Sequence, residues 1–329
     1  MIKILYIANN QQPDFLSDSI FLGLKELDGV EVFEYNYLWY LYDSTQKESL
    51  VNRVHGRGFT YYGELPQREH LPVIEEIFQP LMDGFYDKVI YGNVHRNLDH
   101  LEVVTSNMKK EDIIFLDGND DKAIKPELLN KGVYFKREID SKMYAEYGDK
   151  LNPIQFSIPE KKIVTSAIDK DKLIGYVIPG IMETFIFDKE EDYYNDYKRS
   201  YFAYTWKKSG WDCLRHYEIL AAGCVPLFLD IAFIPQHTMK NYPVKILIDF
   251  YIQSGIYDLF YMGEKPEYDD RNTLITNKDL DASISIDLSK ENGKLYSDTL
   301  QKLRNYTLEN LTCKAEAKRV LETSNKKKG

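Results

Sequence analysis

Residues 2–35, IKILYIANNQQPDFLSDSIFLGLKELDGVEVFEY, decide the fold class. The apolar run 2–8 is typical of a buried strand and leads into a polar loop. Apolar residues over 15–27 keep helical spacing, and the Asp-Gly pair at 28–29 ends that helix before a second apolar strand, 30–35. Strand, helix and strand in this order predict a βαβ unit, the building block of a parallel sheet covered by helices.

The same alternation continues along the chain. Further strands are predicted over 88–91, 112–116, 133–135 and 154–157, which gives a Rossmann-like domain of residues 1–165. Residues 166–329 predict a second α/β unit, with terminal helices over 298–322 and a helix over 211–222. Its strands are predicted over 173–178, 201–204, 225–229 and 244–248. Two Rossmann-like units of similar size predict a ligand cleft between them.

Composition narrows the class of protein. A chain of 329 residues has room for about two domains, and a hydrophobic content of 43% excludes wholesale disorder. The 42 Lys and Arg residues against 52 Asp and Glu give a net charge of -10, which disfavours a nucleic-acid-binding surface. Three cysteines without a C-x-x-C pair give no zinc framework and suit a reducing compartment. The short apolar N-terminus does not resemble a signal peptide, so we expect a cytoplasmic protein with at most peripheral membrane contact.

Several familiar cofactor and catalytic motifs are missing from the sequence. The first strand is followed by Asn9-Asn10-Gln11-Gln12-Pro13, where a dinucleotide site needs a glycine-rich turn. The phosphate-binding G-x-x-x-x-G-K-[ST], the zinc motif H-E-x-x-H and the serine-hydrolase motif G-x-S-x-G are also lacking. Nicotinamide, flavin, P-loop, zincin and serine-hydrolase functions therefore lose their main support.

An acidic cluster, DGNDD at 117–121, directly follows a predicted strand. Clustered carboxylates at such a position can bind a divalent cation and a diphosphate. The alternative is an Asp/Asn-rich turn, which we favour because the spacing is not the usual D-x-D and no further ligands are nearby. We therefore expect no metal cofactor.

The most informative stretch lies at 204–230, YTWKKSGWDCLRHYEILAAGCVPLFLD. On the predicted helix, Arg215 and Glu218 share one side with Trp211, while the opposite side is apolar. A helix N-terminus attracts phosphate, and Glu218 can accept hydrogen bonds from a ribose diol. The candidate donor-binding residues are Lys207, Lys208, Ser209, Gly210, Trp211, Arg215 and Glu218. The alternative is a surface ion pair of Arg215 and Glu218 beside solubilising lysines.

This stretch resembles the donor domain of GT-B glycosyltransferases, and among them the exostosin-like and related bacterial enzymes, in which R-x-x-E-x-x-A-x-G-x-x-P follows a glycine-containing loop. The resemblance implies that Arg215 contacts the diphosphate of a nucleotide sugar and Glu218 its ribose, with Lys207 and Lys208 as further phosphate contacts. Gly223 and Pro226 are the structural part of the motif. Many retaining members carry a second Glu eight residues earlier, where this chain has Gly210.

An inverting enzyme of this type needs a base from its N-terminal domain to deprotonate the acceptor hydroxyl. The candidates are Asp14, Asp18 and His95, which lie near predicted strand ends and are expected to face the cleft. Each has a structural alternative, a helix cap for the aspartates and a hydrogen-bonded loop position for the histidine. Tyr61 and Tyr62 suit either an acceptor-binding surface or the aromatic core.

The sequence thus predicts a metal-independent glycosyltransferase that moves a sugar from a nucleotide-sugar donor to a glycan or lipid-linked acceptor. No cofactor beyond the donor and no nucleic-acid partner are expected. Two alternatives stay open: a non-catalytic sugar- or nucleotide-binding protein, and a GT-B-type sugar-nucleotide epimerase or hydrolase.

Overall fold

The computed structural model describes residues 1–43, 55–67, 74–121, 123–166, 168–256, 267–268, 274–275 and 290–327. The chain divides into two compact units. Unit 1 consists of Met1–Pro159, Gln236–Lys240 and Thr312–Gly329, and unit 2 of Glu160–Pro235 and Asn241–Leu311. The boundary after residue 159 lies close to the boundary after 165 that the sequence predicts.

Unit 1 contains a six-stranded, wholly parallel sheet in the order β2-β1-β3-β4-β5-β6, so the predicted Rossmann-like α/β fold is confirmed. Nearly every residue of its central strands is buried, because helices cover both faces. Its strands are β1 (Ile2–Ile7), β2 (Val30–Tyr35), β3 (Lys88–Tyr91), β4 (Ile113–Asp117), β5 (Val133–Lys136) and β6 (Leu151–Pro153). Its helices are α1 (Phe15–Lys25), α2 (Ile74–Met82), α3 (Leu101–Asn107) and α4 (Ser141–Tyr147).

The strand order reverses at β1, which pairs with β2 on one side and β3 on the other. The connections from these neighbouring strands leave in opposite directions, which opens a crevice at their carboxyl ends. In open α/β sheets this crevice is the usual ligand site. The loops after β1, β3 and β4 therefore mark the candidate site of unit 1.

Unit 2 contains a three-stranded parallel sheet in the order β7-β8-β9 within the part of the chain that the structure describes. Its strands are β7 (Lys172–Ile174), β8 (Ser200–Thr205) and β9 (Val225–Phe228), and a separate antiparallel pair is formed by β10 (Glu267–Tyr268) and β11 (Leu274–Ile275). Its helices are α5 (Glu190–Arg199), α6 (Leu214–Ala221), α7 (Val244–Gln253) and α8 (Lys290–Asn310). Unit 2 therefore combines a short parallel sheet with helices.

The last helix, α9 (Cys313–Lys326), belongs to unit 1, which corrects the prediction that both terminal helices belong to the second domain. It packs against α1. The closest approach is at Gly23, where an added Cβ would stand 2.0 Å from the carbonyl oxygen of Cys313. Only a residue without a side chain permits this helix crossing.

Three predicted elements differ in the structure. Residues 244–248 begin α7 rather than a strand, because Leu247, Phe250 and Tyr251 supply a buried helical face within a run rich in β-branched residues. The last strand of unit 1 is β6, just before the predicted 154–157. The first terminal helix begins at Lys290, before the predicted 298, and the second is capped by Thr312, which accepts a hydrogen bond from the backbone N–H of Ala315. No helix among the described residues has the length and apolarity that crossing a membrane requires.

Candidate functional site

The carboxyl edge of the unit 1 sheet carries a buried carboxylate with four hydrogen-bond donors around it. Asp117 ends β4 and is fully buried. Its Oδ2 accepts hydrogen bonds from Tyr134 OH at 2.6 Å and His95 Nε2 at 2.9 Å. Its Oδ1 accepts from Lys136 Nζ at 2.9 Å and the backbone N–H of Asn119 at 3.2 Å.

These donors keep Asp117 ionised inside the protein. Burial alone would raise the pKa of Asp117, but the hydrogen bonds from His95, Lys136 and Tyr134 and the charge of Lys136 outweigh it and lower that pKa below its ordinary value. Lys136 is itself fully buried and also donates to the carbonyl oxygen of Asn119 at 3.0 Å. A buried ion pair of this kind is tolerated because both partners are satisfied.

His95, a predicted base, is the member of this group that reaches solvent. Its side chain is 18% exposed, whereas those of Asp117 and Lys136 are fully buried. Its backbone N–H donates to Asn93 Oδ1 at 2.9 Å, which fixes the loop after β3. Among the described residues, no hydrogen bond is found to Nδ1, so this nitrogen is available to a ligand.

Asp14, the second predicted base, lies at the same edge and also caps α1. Its Oδ1 accepts from the N–H of Ser17 at 2.9 Å, and its Oδ2 accepts from Asn93 Nδ2 at 2.6 Å. The guanidinium of Arg96 lies 3.9 Å from that second oxygen and donates to backbone carbonyls of the loop after β1. Asp14 therefore has the capping role that its sequence context also predicts, and both its oxygens are engaged.

Asp18, the third predicted base, is placed differently from the prediction that it faces a cleft. Its side chain is fully buried beneath the first turn of α1 and accepts a hydrogen bond from Tyr40 OH at 2.9 Å. Burial, reinforced by the neighbouring Asp14 carboxylate, raises the pKa of Asp18 well above its ordinary value. A carboxyl group that is enclosed by the protein cannot reach the hydroxyl of an acceptor, so Asp18 is unsuited to the role of base.

Tyr61 and Tyr62 are also buried, which favours the core alternative over an acceptor-binding surface. Tyr61 donates to the carbonyl oxygen of Ser157 at 2.6 Å and packs against Phe15. Tyr62 packs against Tyr40. Both rings are therefore part of the buried core next to α1.

The acidic cluster at 117–121 is a turn in which Asp117 and Asp120 are paired with side chains from elsewhere in unit 1. Asp117 is bound by His95, Tyr134 and Lys136. Asp120 forms an ion pair with the buried Arg137. Asp121 accepts a hydrogen bond from the N–H of Ala123 at 3.1 Å. Among the described residues, no group of three or more His, Cys, Asp or Glu side chains has the arrangement of a metal site.

In unit 2, the motif at 204–230 forms the strand β8, a loop, the helix α6 and the strand β9. The loop and the N-terminus of α6 therefore lie at the carboxyl edge of a parallel sheet. Cys213 precedes the helix and makes no side-chain capping bond. The N–H of His216 donates to the Cys213 carbonyl at 3.0 Å, so the amides of Leu214 and Arg215 are the ones that an anion would meet. Gly223, with a φ of +69°, ends α6 and allows the chain to enter β9 at Val225.

Arg215 on α6 is half-buried and carries a donor without an acceptor. Its Nε atom is buried and makes no hydrogen bond to the described residues. The guanidinium carbon lies 5.1 Å from the centre of the Phe185 ring. A buried cationic donor left unpaired costs free energy unless a ligand supplies the missing acceptor.

Glu218 lies one turn further along α6 and is buried rather than part of an exposed ion pair. Its Oε2 accepts a hydrogen bond from Tyr193 OH at 2.6 Å, and the Tyr197 hydroxyl donates to that of Tyr193 at 3.4 Å. Tyr193 comes from α5 and could not be predicted from the sequence, because nothing in the motif indicates which residue of another helix meets Glu218. A buried carboxylate held by tyrosine disfavours the surface-pair alternative.

The other predicted donor-binding residues lie in the loop before α6. Lys207 and Lys208 are half-buried, Ser209 is exposed and Gly210 is buried, and the N–H of Lys208 donates to the Gly210 carbonyl at 3.0 Å. The ammonium of Lys207 lies 4.6 Å from the centre of the Tyr268 ring. Trp211 precedes the helix, and its carbonyl contacts His216 Nε2 at 2.9 Å. All these residues therefore lie at the carboxyl edge of the unit 2 sheet. The ammonium of Lys207 is already in contact with the Lys208 carbonyl and the Tyr268 ring.

A scan with protein-family models finds no match for this chain, and a sequence comparison with curated proteins finds none either.

Proposed function

We propose that the protein is a metal-independent glycosyltransferase of the GT-B type, which binds a nucleotide sugar at the carboxyl edge of unit 2. The observation that carries the proposal is Arg215, a half-buried guanidinium with an unpaired donor next to the uncapped N-terminus of α6. The Nε of Arg215 makes no hydrogen bond to the described residues, and α6 has no side-chain cap; the oxygens of a diphosphate can accept hydrogen bonds at both places. The R-x-x-E-x-x-A-x-G-x-x-P pattern supports the same assignment.

Glu218 is the proposed ribose-binding residue. Tyr193 fixes one of its oxygens, so the carboxylate has a defined orientation before the donor binds. A carboxylate held in this way accepts hydrogen bonds from a diol at a low entropic cost.

The proposal assigns the acceptor to the carboxyl edge of unit 1 and the role of base to His95. His95 Nδ1 takes the proton of the acceptor hydroxyl as its oxygen attacks the anomeric carbon of the donor. The bond between that carbon and the diphosphate oxygen breaks, and its electron pair leaves with the nucleoside diphosphate. Arg215 and the α6 amides stabilise the charge that develops on the leaving group. Attack with direct displacement predicts inversion at the anomeric carbon.

The test begins with ligand binding. Thermal shifts are measured with UDP, GDP, CDP and ADP, each with and without Mn²⁺, because a ligand that binds only the folded protein raises the melting temperature. We expect one nucleoside diphosphate to raise it independently of the metal. A strictly metal-dependent shift contradicts the metal-independent mechanism.

Variants then connect binding and transfer to the proposed residues. Arg215→Ala is expected to weaken nucleoside diphosphate binding about 10- to 100-fold, the loss of a charged hydrogen bond. Glu218→Ala is expected to weaken binding of the nucleoside diphosphate more than that of pyrophosphate, which lacks the ribose. Lys245→Ala is the matched control, since that exposed residue on α7 pairs only with Asp249 among the described residues. Wild-type affinity and transfer in both site variants would refute the assignment, and binding without turnover would indicate a binding protein.

A further inference from the structure

His95 is joined to a chain of buried groups that determines which of its two nitrogens carries the proton. Asp117 accepts from Nε2, and each of its other contacts is also a donor: Tyr134 OH, Lys136 Nζ and the N–H of Asn119. An ionised carboxylate has no proton to give. The ring nitrogen that faces it must therefore be protonated, and the lone pair of a neutral His95 lies on Nδ1.

The groups behind Asp117 keep it in the accepting state. Tyr134 OH accepts a hydrogen bond from the N–H of Lys125 at 3.2 Å, which leaves its own proton directed at Asp117. Lys136 is anchored by both the Asp117 carboxylate and the Asn119 carbonyl. The side chains of Asp117 and Lys136 are fully buried and Tyr134 is buried, so solvent does not compete for the bonds among these three.

We propose that Asp117 is a positioning residue for transfer, which holds His95 in the Nε2–H tautomer with Nδ1 toward the acceptor, and that Tyr134 and Lys136 hold Asp117 in turn. The proposal rests on the assignment of His95 as the base. None of these three residues is a candidate site residue by its sequence pattern: Asp117 lies in an acidic turn, and Tyr134 and Lys136 lie in or next to a predicted strand. Asp117 does not touch the substrate and does not take up the proton, which stays on His95 until it passes to solvent.

The decisive variant is Asp117→Asn. In the variant, Lys136 retains the amide oxygen as its acceptor, so the amide NH₂ faces His95 Nε2 and donates to it. The preferred tautomer then becomes Nδ1–H, which cannot accept a proton from the hydroxyl. We expect kcat to fall about 10²- to 10⁴-fold, the usual contribution of general base catalysis, with the KM for the donor changed less than threefold.

The tautomer itself is measured by ¹⁵N NMR on protein labelled at histidine, with the His95 signals identified from His95→Gln. The wild type is expected to show protonated Nε2 and unprotonated Nδ1 at His95, and Asp117→Asn the reverse. Asp120→Asn is the matched control, because that carboxylate of the same turn pairs with Arg137 instead. It is expected to leave both tautomer and kcat unchanged.

Each result bears on a defined part of the reasoning. A wild-type His95 protonated mainly at Nδ1 overturns the proposal, and this measurement does not require Asp117→Asn to fold. Retention of Nε2–H or of wild-type kcat in Asp117→Asn also overturns it. If the tautomer reverses in the variant while the wild type transfers no sugar, Asp117 does determine the tautomer of His95, but the proposed function is wrong.

Discussion

Two buried titratable groups in unit 2 are expected to give opposite and nearly cancelling dependences of stability on pH. His216 on α6 is fully buried between Thr205 Oγ1, 2.8 Å from Nδ1, and the Trp211 carbonyl, 2.9 Å from Nε2. Burial lowers the pKa of His216 from its ordinary 6.5 to about 3. The folded protein therefore keeps this ring neutral at pH values where the unfolded chain protonates it.

Asp230 lies just after β9, and its pKa is shifted upwards. It is fully buried and accepts hydrogen bonds from the N–H of Lys207 and from Tyr268 OH. Burial raises the pKa of Asp230 from its ordinary 3.8 to about 6, against the lowering effect of these bonds. The folded protein thus protonates this carboxyl group before the unfolded chain does.

The magnitudes follow from the difference in bound protons between the two states. As the pH falls from 6.5 to 3, the unfolded chain gains a proton on His216 that the folded protein does not, so the free energy of unfolding falls about 1.4 kcal/mol per pH unit, or about 5 kcal/mol in total. As the pH falls from 6 to 3.8, Asp230 gives the reverse slope and raises that free energy by about 3 kcal/mol. Between pH 6 and 4 the two contributions cancel.

His216→Gln and Asp230→Asn separate the two contributions. As the pH falls from 6 to 4, we expect the free energy of unfolding of His216→Gln to rise by about 3 kcal/mol relative to that of the wild type. Over the same range, that of Asp230→Asn is expected to fall by about as much relative to the wild type. The assay is urea unfolding at pH 4, 5 and 6, followed by tryptophan fluorescence in a Trp39→Phe background, so that the signal comes from Trp206 and Trp211, which lie in unit 2. Only differences from wild type are compared, because the other titrating groups are common to all the proteins. If both variants follow the wild-type pH dependence within about 0.5 kcal/mol, the burial argument is refuted.

Two further predictions concern packing and thiol reactivity. Gly23→Ala is expected to lower the free energy of unfolding by about 1 to 3 kcal/mol, because the new methyl group would push α9 away from α1. Chemical denaturation measures this difference. Unchanged stability would show that the two helices can move apart at little cost. Among the three cysteines, Cys213 is partly exposed whereas Cys224 and Cys313 are buried, and burial raises the pKa of Cys224 to about 12. A thiol-exchange reagent is therefore expected to react quickly with one thiol in the folded protein and with three in denaturant; fast reaction of a second native thiol would contradict the buried placement.

The sequence predicts the sheet of unit 1 well because its strands are short apolar runs separated by clear helical patterns. The same reasoning fails at 244–248, since a run of Val, Ile and Leu suits a strand and a buried helix equally until its packing partners are known. It also places α9 in the wrong unit, because the glycine that admits this helix lies almost 300 residues earlier in the chain. Pairing across such a separation leaves no local pattern.

In the candidate site, too, the local patterns could be predicted from the sequence and the long-range contacts could not. The motif around Arg215 and Glu218 is local, so the sequence identifies both residues. Tyr193, Tyr134 and Lys136 are indistinguishable from ordinary helix and strand residues until the fold brings them to a carboxylate. Asp18 and His95 look alike as candidates in the sequence, and burial alone separates them: one is enclosed, while the other reaches the surface at the sheet edge.

The crossing of α1 and α9 also bears on the order in which the molecule is completed during synthesis. Residues 160–235 and 241–311 of unit 2 are translated before the helix that covers α1 exists. Unit 2 can therefore acquire its contacts on the ribosome while the first unit still exposes the apolar side of its opening helix. The side of α1 that the final helix covers thus becomes buried only after that helix has emerged, which makes it a surface prone to wrong contacts during translation.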